Sequence, residues 1–259
     1  MEGPVCAAWR ALRSGKWRRL PCAPPPEWHR PAASCGTESD ARPGPRELPL
    51  APVGHFGDWL AARHGAALAT LAGPDLTPGP LPEADLLVTL GSPRAAYDGD
   101  GWIATQRDLL ARWIGEGRPA IGICFGAQMI ASAIGGSVAP TGTFHEGWME
   151  TAEASAPLWR GPWLRWHGDH VALPPEAEVL ARSEGTIQAF RHRRALGVQF
   201  HPEANAGCVA EWIGFTPPER LAAKGIVPEE IVALTRERDG SLKGQREALF
   251  AEMLRLVGL

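Results

Sequence analysis

The sequence predicts an α/β fold built on a doubly wound, mostly parallel sheet with helices on both faces and added edge strands. The first observation is that short apolar runs alternate with segments of helical spacing between residues 84 and 136. Strands separated by helices in this way pair in parallel, because each helix returns the chain to the same end of the sheet. The second observation is a series of short aromatic and β-branched segments after Gly136, split by turns, which predicts further strands, some of them antiparallel.

The composition is that of a globular domain with nearly balanced charge. Of the 259 residues, 44% are hydrophobic and 21% are charged, which suffices to bury a sizeable core. The formal charge of −3 argues against nucleic-acid and membrane-surface binding. No apolar run reaches the ~18–20 residues of a transmembrane helix, and five cysteines are too few and too scattered for a disulfide framework. We therefore expect a cytoplasmic protein with no nucleic-acid or membrane partner.

Residues 1–45 predict a disordered, Pro/Arg-rich extension. Residues 1–52 hold 10 of the 25 prolines and three of the five cysteines, without helical or strand periodicity. The first part, AWRALRSGKWRRL, is basic, so a targeting segment or a segment for an anionic partner is one hypothesis. An unstructured extension, or a start site assigned too far upstream, is the other. We expect the folded domain to span residues 46–259.

The folded domain opens with a weak strand and a helix. The segment RELPLAPVG predicts at best a poor strand, because Pro49 and Pro52 cannot donate to a β-ladder. The next segment, HFGDWLAARHG, has its large apolar residues on one side at helical spacing and predicts a helix that ends near Gly65.

Four elements then follow in the order strand, helix, strand, helix. ADLLVTLGSP and PAIGIC are short apolar runs that predict buried strands. IATQRDLLARWIGEG between them has helical spacing and ends at Gly115 and Gly117, and FGAQMIASAIGG after them predicts a short helix of small and apolar residues.

The last part of the chain predicts strands and then helices. The strand segments are GSVAP, GWMETAEA, WLRWHGDHVAL, EVLARS, TIQAFRH and ALGVQFHPE. The helical segments beyond Glu203 are AGCVAEWIGF, PPERLAAK, PEEIVALTRER and SLKGQREALFAEMLRLVGL. The last helix carries apolar residues on one face, as expected of a helix that packs on the sheet.

The segment GICFGAQ, between a predicted strand and a predicted helix, is typical of a sharp turn that carries a nucleophile. Only small residues fit two positions before and two after such a nucleophile, and Gly122 and Gly126 occupy these positions around Cys124. The helix N-terminus favours a thiolate, and the N–H of Phe125 points to where an oxyanion would form. The alternative is a buried structural cysteine before a helix start.

A second motif, HPE, ends the segment ALGVQFHPE. Proline keeps His201 extended, and residues two apart in an extended segment lie on the same side, so Glu203 can reach the imidazole. Cysteine, histidine and an orienting carboxylate form the nucleophile–base–orienter arrangement. The alternative is a strand-end histidine with an unrelated carboxylate neighbour.

Five segments together resemble the class I, triad-type glutamine amidotransferases. In chain order they are LLVTLGSPRAAYD, PAIGICFGAQMIASAIGG, HEGW, WHGDHVALP and ALGVQFHPE, covering roughly residues 50–215. The chain is similar to the stand-alone members that are related to the glutaminase domain of GMP synthase. The order Cys, His, Glu differs from the order nucleophile, acid, histidine of the α/β-hydrolases. The resemblance implies a three-layer, flavodoxin-like arrangement.

The resemblance also implies a role for individual residues. Catalysis falls to Cys124 as nucleophile, His201 as general base and acid, and Glu203 as its orienter. The backbone of Phe125 and of the Gly91–Ser92 loop forms the oxyanion hole, although the family usually has glycine where this chain has Ser92. The substrate-binding residues are Gln128, Gly168 and Asp169, with the WHGDH segment on a loop beside the glutamine pocket.

Several residues near these motifs have alternative interpretations. His167 and His170 beside Asp169 suggest a metal site, but His-x-x-His without a further ligand is weak, and we expect neither metal nor cofactor. His145 and Glu146 either line the cleft or lie exposed. Trp148 and Trp166 are expected to pack, and Tyr97 receives no role.

The sequence therefore predicts hydrolysis of the glutamine side-chain amide through a γ-glutamyl thioester. Released ammonia would pass to an unidentified acceptor, such as a separate synthetase, since no phosphate-binding loop of the G-x-x-x-x-G-K type is present. Two alternatives remain: a stand-alone hydrolase of γ-glutamyl amides or peptides, and a non-catalytic ligand-binding protein with the same fold.

Overall fold

The structure is a computed structural model that describes residues 8–13 and 53–259. Within these residues the strands are β1 (Ala8–Arg13), β2 (Ala67–Ala72), β3 (Leu86–Thr89), β4 (Ala120–Ile123), β5 (Ser137–Met149), β6 (Glu153–Ala154), β7 (Trp163–Ala172), β8 (Glu178–Ser183), β9 (Thr186–His192) and β10 (Ala195–Val198). The helices are α1 (Gly54–His64), α2 (Gly101–Gly115), α3 (Phe125–Ala133), α4 (Pro157–Arg160), α5 (Ala206–Phe215), α6 (Pro218–Ala223), α7 (Pro228–Ser241) and α8 (Lys243–Leu256). None of these helices is long and apolar enough to cross a membrane.

The main sheet has eight strands in the order β2-β1-β3-β4-β10-β9-β8-β6. Its centre is parallel, because β4 pairs in parallel with both β3 and β10. Antiparallel pairs flank this centre on both sides, so that the antiparallel part is larger than edge strands alone. The α/β class and the doubly wound centre are confirmed. The parallel centre matters for function because the carboxyl ends of β4 and β10 lie side by side.

Helices cover both faces of the sheet, as predicted. On one face, Phe56 of α1, Trp159 of α4 and Phe250 of α8 join a single buried cluster with the sheet residues. On the other face, Trp113 of α2 and Ile130 of α3 belong to a second buried cluster. These apolar layers hold the central strands, and thus the turn after β4, in a fixed position.

Most local predictions from the sequence are confirmed. Helix α1 ends at Gly65, which has the left-handed conformation (φ 59°) that glycine adopts at a helix end. The segments LLVT and AIGI are strands with every residue buried, as their continuous apolar runs predict. The four C-terminal helical segments form α5 to α8, and Leu249, Phe250 and Met253 of α8 are buried.

The prediction of a disordered extension over residues 1–45 is wrong for residues 8–13. Strand β1 lies between β2 and β3 and pairs antiparallel with both. Hydrogen bonds to β2 and β3 stabilise this strand, and such backbone pairing cannot be predicted from a basic composition. The other residues of the extension, and the weak strand predicted over RELPLAPVG up to residue 52, lie outside the described residues. Strand β2, in ALATLA, was not predicted.

Strands β5 and β7 form a separate two-stranded ribbon rather than an edge of the main sheet. Their antiparallel register shifts between Pro140 and His145. The WHGDH segment lies within β7, which confirms the strand predicted for WLRWHGDHVAL, whereas the loop placement that the resemblance implies is wrong. The segment is a strand because its backbone N–H and C=O groups form hydrogen bonds with β5, whereas a loop would have no such partner strand. Helix α5 packs on the ribbon through Leu164 and Val209, which share a small buried cluster.

Candidate active site

Cys124 occupies a sharp turn between β4 and α3. Its backbone angles are φ 55° and ψ −112°, a conformation rare for residues with a side chain. The Cys124 N–H donates to the Val198 carbonyl at 2.8 Å, which ties the turn to the end of β10. A side chain would not fit at the two flanking glycines: a Cβ on Gly122 would lie 2.4 Å from the Gly126 oxygen, and one on Gly126 would lie 2.1 Å from the Thr89 oxygen. Close backbone packing therefore explains both glycines.

His201 and Glu203 follow the neighbouring strand β10. The His201 Nδ1 hydrogen bonds to Glu203 Oε1 at 2.8 Å, and both side chains are buried. Because the carboxylate accepts, Nδ1 carries the proton, which leaves Nε2 for chemistry. The Cys124 side chain lies close enough to the imidazole to raise its pKa. The two parallel strands thus bring together residues separated by 77 positions in the sequence.

Opposing effects act on the charge of His201. Burial lowers the pKa of the imidazole, but the charges of Glu203 and Cys124 and the hydrogen bond to Glu203 raise it more. The net result is a pKa above the ordinary value. The histidine therefore favours its protonated form next to the sulfur, the form that can protonate a departing nitrogen.

A cavity of ≈ 310 Å³ opens over Cys124 and His201. Every residue to which the sequence assigns a catalytic, oxyanion or substrate role lines it. The cavity is comparable to the smaller ligand pockets of enzymes, which span about 300–1,000 Å³. The structure thus brings all of the predicted site residues to one place.

The loop at Gly91 lies against Cys124 and His201. A Cβ built on Gly91 would lie 3.4 Å from His201 Cε1 and 3.9 Å from Cys124 Cβ. The hydroxyl of Ser92 accepts from the Arg94 N–H at 3.1 Å, so this side chain stabilises the loop. Phe125 begins α3, with its backbone at the N-terminal end of the helix dipole. This arrangement agrees with the predicted oxyanion hole, which remains a prediction.

The three substrate-binding candidates belong to two elements. Gln128, one turn into α3, is buried and donates to the Gln199 side chain at 3.4 Å. In β7, the Gly168 carbonyl accepts from the Thr141 hydroxyl at 3.0 Å. Asp169 accepts from the Tyr97 hydroxyl at 3.0 Å, and burial raises the pKa of its carboxyl group. No sequence motif predicts this contact of Tyr97.

His167 lines the cavity as a neutral side chain. Burial lowers its pKa to about 3, so the imidazole stays uncharged at neutral pH. Its Nδ1 donates to the main-chain oxygen of Asp169 at 3.0 Å. Residues 53–259 contain no cluster of three His, Cys, Asp or Glu side chains that would hold a metal ion, so the interpretation of His167 and His170 as metal ligands finds no third ligand.

Residues of α5 and α6 complete the wall of the cavity, and sequence reasoning missed them. Trp212 packs against the His201 imidazole with ring centroids 4.5 Å apart. Phe215, one turn further along α5, and Arg220 of α6 also line the cavity. Trp212 and Phe215 are three residues apart in AEWIGF, so the sequence predicts that they lie on one face of a helix. No local pattern predicts that this face packs against the distant HPE motif.

Glu146 and His145 are both buried, so the alternative that placed them on the surface is wrong, but neither is among the residues that line the cavity. Glu146 Oε1 accepts from Arg220 Nε at 3.1 Å, which connects the ribbon to α6. Trp148 packs as expected and donates to the Thr235 hydroxyl at 3.1 Å. Trp166, by contrast, lines the cavity in addition to packing against Trp212.

The family model described as "Glutamine amidotransferase class-I" matches residues 76–209, more than half of the chain. The match includes the turn at Cys124 and the HPE segment.

Curated relatives include two enzymes named GMP synthase [glutamine-hydrolyzing]. The protein of Mycolicibacterium paratuberculosis is 39% identical over 127 residues, which cover 45% of this chain and 23% of the relative. That of Thermus thermophilus is 33% identical over 179 residues, which cover 60% of this chain and 32% of the relative. The chain thus spans about a quarter to a third of the length of the curated relatives it matches.

Solved structures of similar fold match most of the chain. A glutamine amidotransferase from Thermotoga maritima has a TM-score of 0.68 and 26% identity, with 83% of this chain and 96% of that chain covered. A glutamine amidotransferase from Methylobacillus flagellatus has the same TM-score of 0.68 and 27% identity, with 79% and 90% covered.

Proposed function

The chain belongs to the class I glutamine amidotransferase family, and from this premise we propose that it hydrolyses the side-chain amide of glutamine at Cys124. The observation that carries the proposal is the convergence of Cys124, His201 and Glu203 at one cavity. The named activity of the GMP synthase relatives, which hydrolyse glutamine, supports the choice of substrate.

In the first half of the reaction, the Cys124 sulfur attacks the amide carbon of glutamine. The backbone N–H groups of Phe125 and of the Gly91–Ser92 loop hold the negative charge that develops on the oxygen. The carbon–nitrogen bond then breaks, and His201 gives its proton to the departing ammonia. A γ-glutamyl thioester on Cys124 is left.

In the second half, water hydrolyses the thioester. His201, now neutral, takes a proton from the water that attacks the carbonyl carbon, and the carbon–sulfur bond breaks. Glutamate leaves and the original cysteine–histidine pair is restored. Glu203 holds the imidazole in position through both halves by its 2.8 Å hydrogen bond.

We propose that Gln128, Gly168 and Asp169 bind the glutamate part of the substrate. Asp169 is the carboxylate among them, and Gln128 and the Gly168 backbone supply neutral hydrogen-bonding groups. We propose that the released ammonia passes to a synthetase, the class of enzyme named among the relatives. A reduced, cytoplasmic location suits a thiol nucleophile.

The test is ammonia release from L-glutamine by the purified full chain. We expect Cys124→Ala to lose detectable turnover and a glutamine-like electrophile to label Cys124 in the unaltered protein. Cys208→Ala is the matched control, because burial raises the pKa of that thiol to about 11 and keeps it unreactive.

Ammonia release that survives in Cys124→Ala would contradict the proposed nucleophile. Glutamine binding without turnover or labelling would instead favour the non-catalytic protein of the same fold. Turnover of γ-glutamyl peptides with glutamine ignored would favour the hydrolase.

A further inference from the structure

The cavity extends beyond the catalytic pair along a wall of aromatic side chains. Phe144 of the ribbon, Trp166 of β7 and Trp212 and Phe215 of α5 all line it. Resting on the glutaminase chemistry above, we propose that this wall binds the leaving group of the substrate. Besides glutamine, the substrates then include γ-glutamyl amides whose nitrogen carries an aromatic substituent.

The position of His201 identifies which part of the substrate meets this wall. A departing nitrogen takes its proton from His201, so any substituent on that nitrogen lies on the histidine side of the breaking bond. Trp212 is the aromatic neighbour of this imidazole, with ring centroids 4.5 Å apart. A substituent on the leaving nitrogen therefore extends toward Trp212.

Beyond Trp212 the surface remains aromatic. Trp166 packs against Trp212 with ring centroids 5.9 Å apart in a tilted arrangement. Phe215 lies one helical turn from Trp212 and is 48% exposed, unusually open for a large apolar side chain that borders a cavity. Aromatic side chains in such arrangements favour a further ring through offset or edge contacts. An aryl group reaching Phe215 would cover the exposed ring.

The guanidinium groups that line the cavity are already paired. Arg220 Nε donates to Glu146 at 3.1 Å, and its guanidinium lies 4.0 Å from the centroid of the Phe144 ring. Arg94 forms ion pairs with Asp98 at 3.3 Å and with Asp100. Binding at this wall therefore rests on ring contacts, and an uncharged aryl or arylalkyl group suits it better than an anionic one.

The reaction balances without a further reactant. The Cys124 sulfur bonds to the γ-carbonyl carbon, the carbon–nitrogen bond breaks, and the amine leaves with the proton from His201. Water then releases glutamate from the thioester. One γ-glutamyl amide and one water give one arylalkylamine and one glutamate.

The experiment compares three substrates with the full chain: L-glutamine, N-methyl γ-glutamyl amide and N-benzyl γ-glutamyl amide. The two substituted amides share the same bond and differ by the ring. We expect kcat/KM for the benzyl amide to exceed that for the methyl amide ~10-fold or more, because burial of the aromatic ring against the cavity wall stabilises the bound benzyl amide. Equal values, or hydrolysis of glutamine alone, would overturn the aromatic subsite and leave the glutaminase intact. Hydrolysis of none of the three would overturn both.

A pair of variants locates the effect. Phe215→Ala is expected to lower the benzyl-to-methyl ratio of kcat/KM by ~3–10-fold. Val227→Ala, an exposed apolar side chain outside the cavity lining, is expected to keep the ratio of the unaltered protein. A ratio that is unchanged in Phe215→Ala would overturn the assignment. The comparison of substrates in the unaltered protein needs no variant and stands if Phe215→Ala fails to fold.

Discussion

Cys124 combines a reactive position with an unfavourable backbone conformation. Cys124 has a φ of 55° and a ψ of −112°, and it forms the turn between the end of β4 and the start of α3. Residues with a Cβ occupy such regions at a cost of about 1–3 kcal/mol, which the surrounding packing must offset. Glycine adopts positive φ without this cost.

This strain predicts an unusual order of stability among variants of Cys124. Cys124→Gly should be more stable than Cys124→Ala by about 1 kcal/mol, because glycine removes the Cβ that strains the turn. Urea unfolding of the two variants measures the difference. At Cys208, in helix α5, we expect the opposite order, with the glycine variant less stable by about 1 kcal/mol. A Cys124→Gly variant that is no more stable than Cys124→Ala would contradict strain at Cys124.

The raised pKa of His201 predicts a pH dependence of stability. The folded protein keeps a proton on this imidazole that the unfolded chain loses above about pH 6.5, so the free energy of unfolding should fall as the pH rises through the folded-state pKa. In Glu203→Gln, the largest influence that raises the pKa is removed and burial lowers it. We therefore expect the decline above pH 6.5 to flatten, and glutamine hydrolysis to fall ~10²–10⁴-fold.

Urea unfolding between pH 6 and 9.5 measures this change. The control is Glu252→Gln, which removes a surface carboxylate paired with Arg255 at 2.6 Å and should leave the pH dependence above pH 6.5 unaltered. An equally steep decline in Glu203→Gln would show that another group is responsible.

At the scale of elements, the turn from β4 to α3 depends on two backbone contacts that leave no room for a side chain. The position of Gly122 faces the backbone of Gly126, and that of Gly126 faces the backbone of Thr89 in the neighbouring strand β3. Backbone atoms of packed strands and helices cannot move aside as a flexible side chain can. These contacts hold the nucleophile against the centre of the sheet.

Gly122→Ala should therefore destabilise the fold by about 3 kcal/mol or more, since the added carbon would lie 2.4 Å from a backbone oxygen. Gly240→Ala in α7 is the matched control, because a Cβ there meets nothing within 4 Å. Helix propensity predicts that this control gains about 0.5–1 kcal/mol. Thermal unfolding of both variants checks the prediction, and a mild effect of Gly122→Ala would show that the turn can open.

The elements that sequence reasoning identified are those with a local pattern. Strands Leu86–Thr89 and Ala120–Ile123 are buried on both faces and therefore read as continuous apolar runs. Strand Ala67–Ala72 was missed because most of its residues are exposed, so no apolar alternation marks it. The ribbon partner of WHGDH and the contact of Trp212 with His201 are set by tertiary packing, which has no local signal.

At the scale of the whole molecule, the proposed catalytic residues depend on the parallel centre of the sheet, while the cavity wall depends on the elements added to that centre. Cys124 and His201 follow the adjacent strands β4 and β10, which explains why two local motifs were enough to predict that these side chains lie together. The ribbon and helices α5 and α6 supply the rest of the cavity wall, including Phe144, Trp212 and Arg220. We therefore expect the reaction to be that of the family, and we expect the ribbon and helices α5 and α6 to determine which substrate is preferred.

Strand β1 lies near the opposite end of the main sheet and is far from the rest of the folded domain in the sequence. The sequence predicts a domain over residues 46–259, whereas the structure places β1 between β2 and β3. Ala11 is paired with Ala69 on one side and with Leu87 on the other. Without β1, β2 would lose its partner in the sheet and β3 would have an unpaired edge, which favours association with other chains. We propose that the cooperative unit includes residues 8–13 together with residues 46–259.

Proline at position 11 tests this proposal, because proline cannot donate to a ladder and is excluded from inner strands. If β1 is part of the cooperative sheet, Ala11→Pro should lower the free energy of unfolding by about 2–3 kcal/mol. Ala11→Gly keeps the N–H and should lose no more than about 1 kcal/mol. Urea unfolding of both variants, with a shortened chain that begins at residue 46, measures the contribution. Equal stability of the unaltered chain, Ala11→Pro and the shortened chain would instead place the whole fold within residues 46–259, because a strand inside a cooperative sheet cannot be broken or removed without loss of stability.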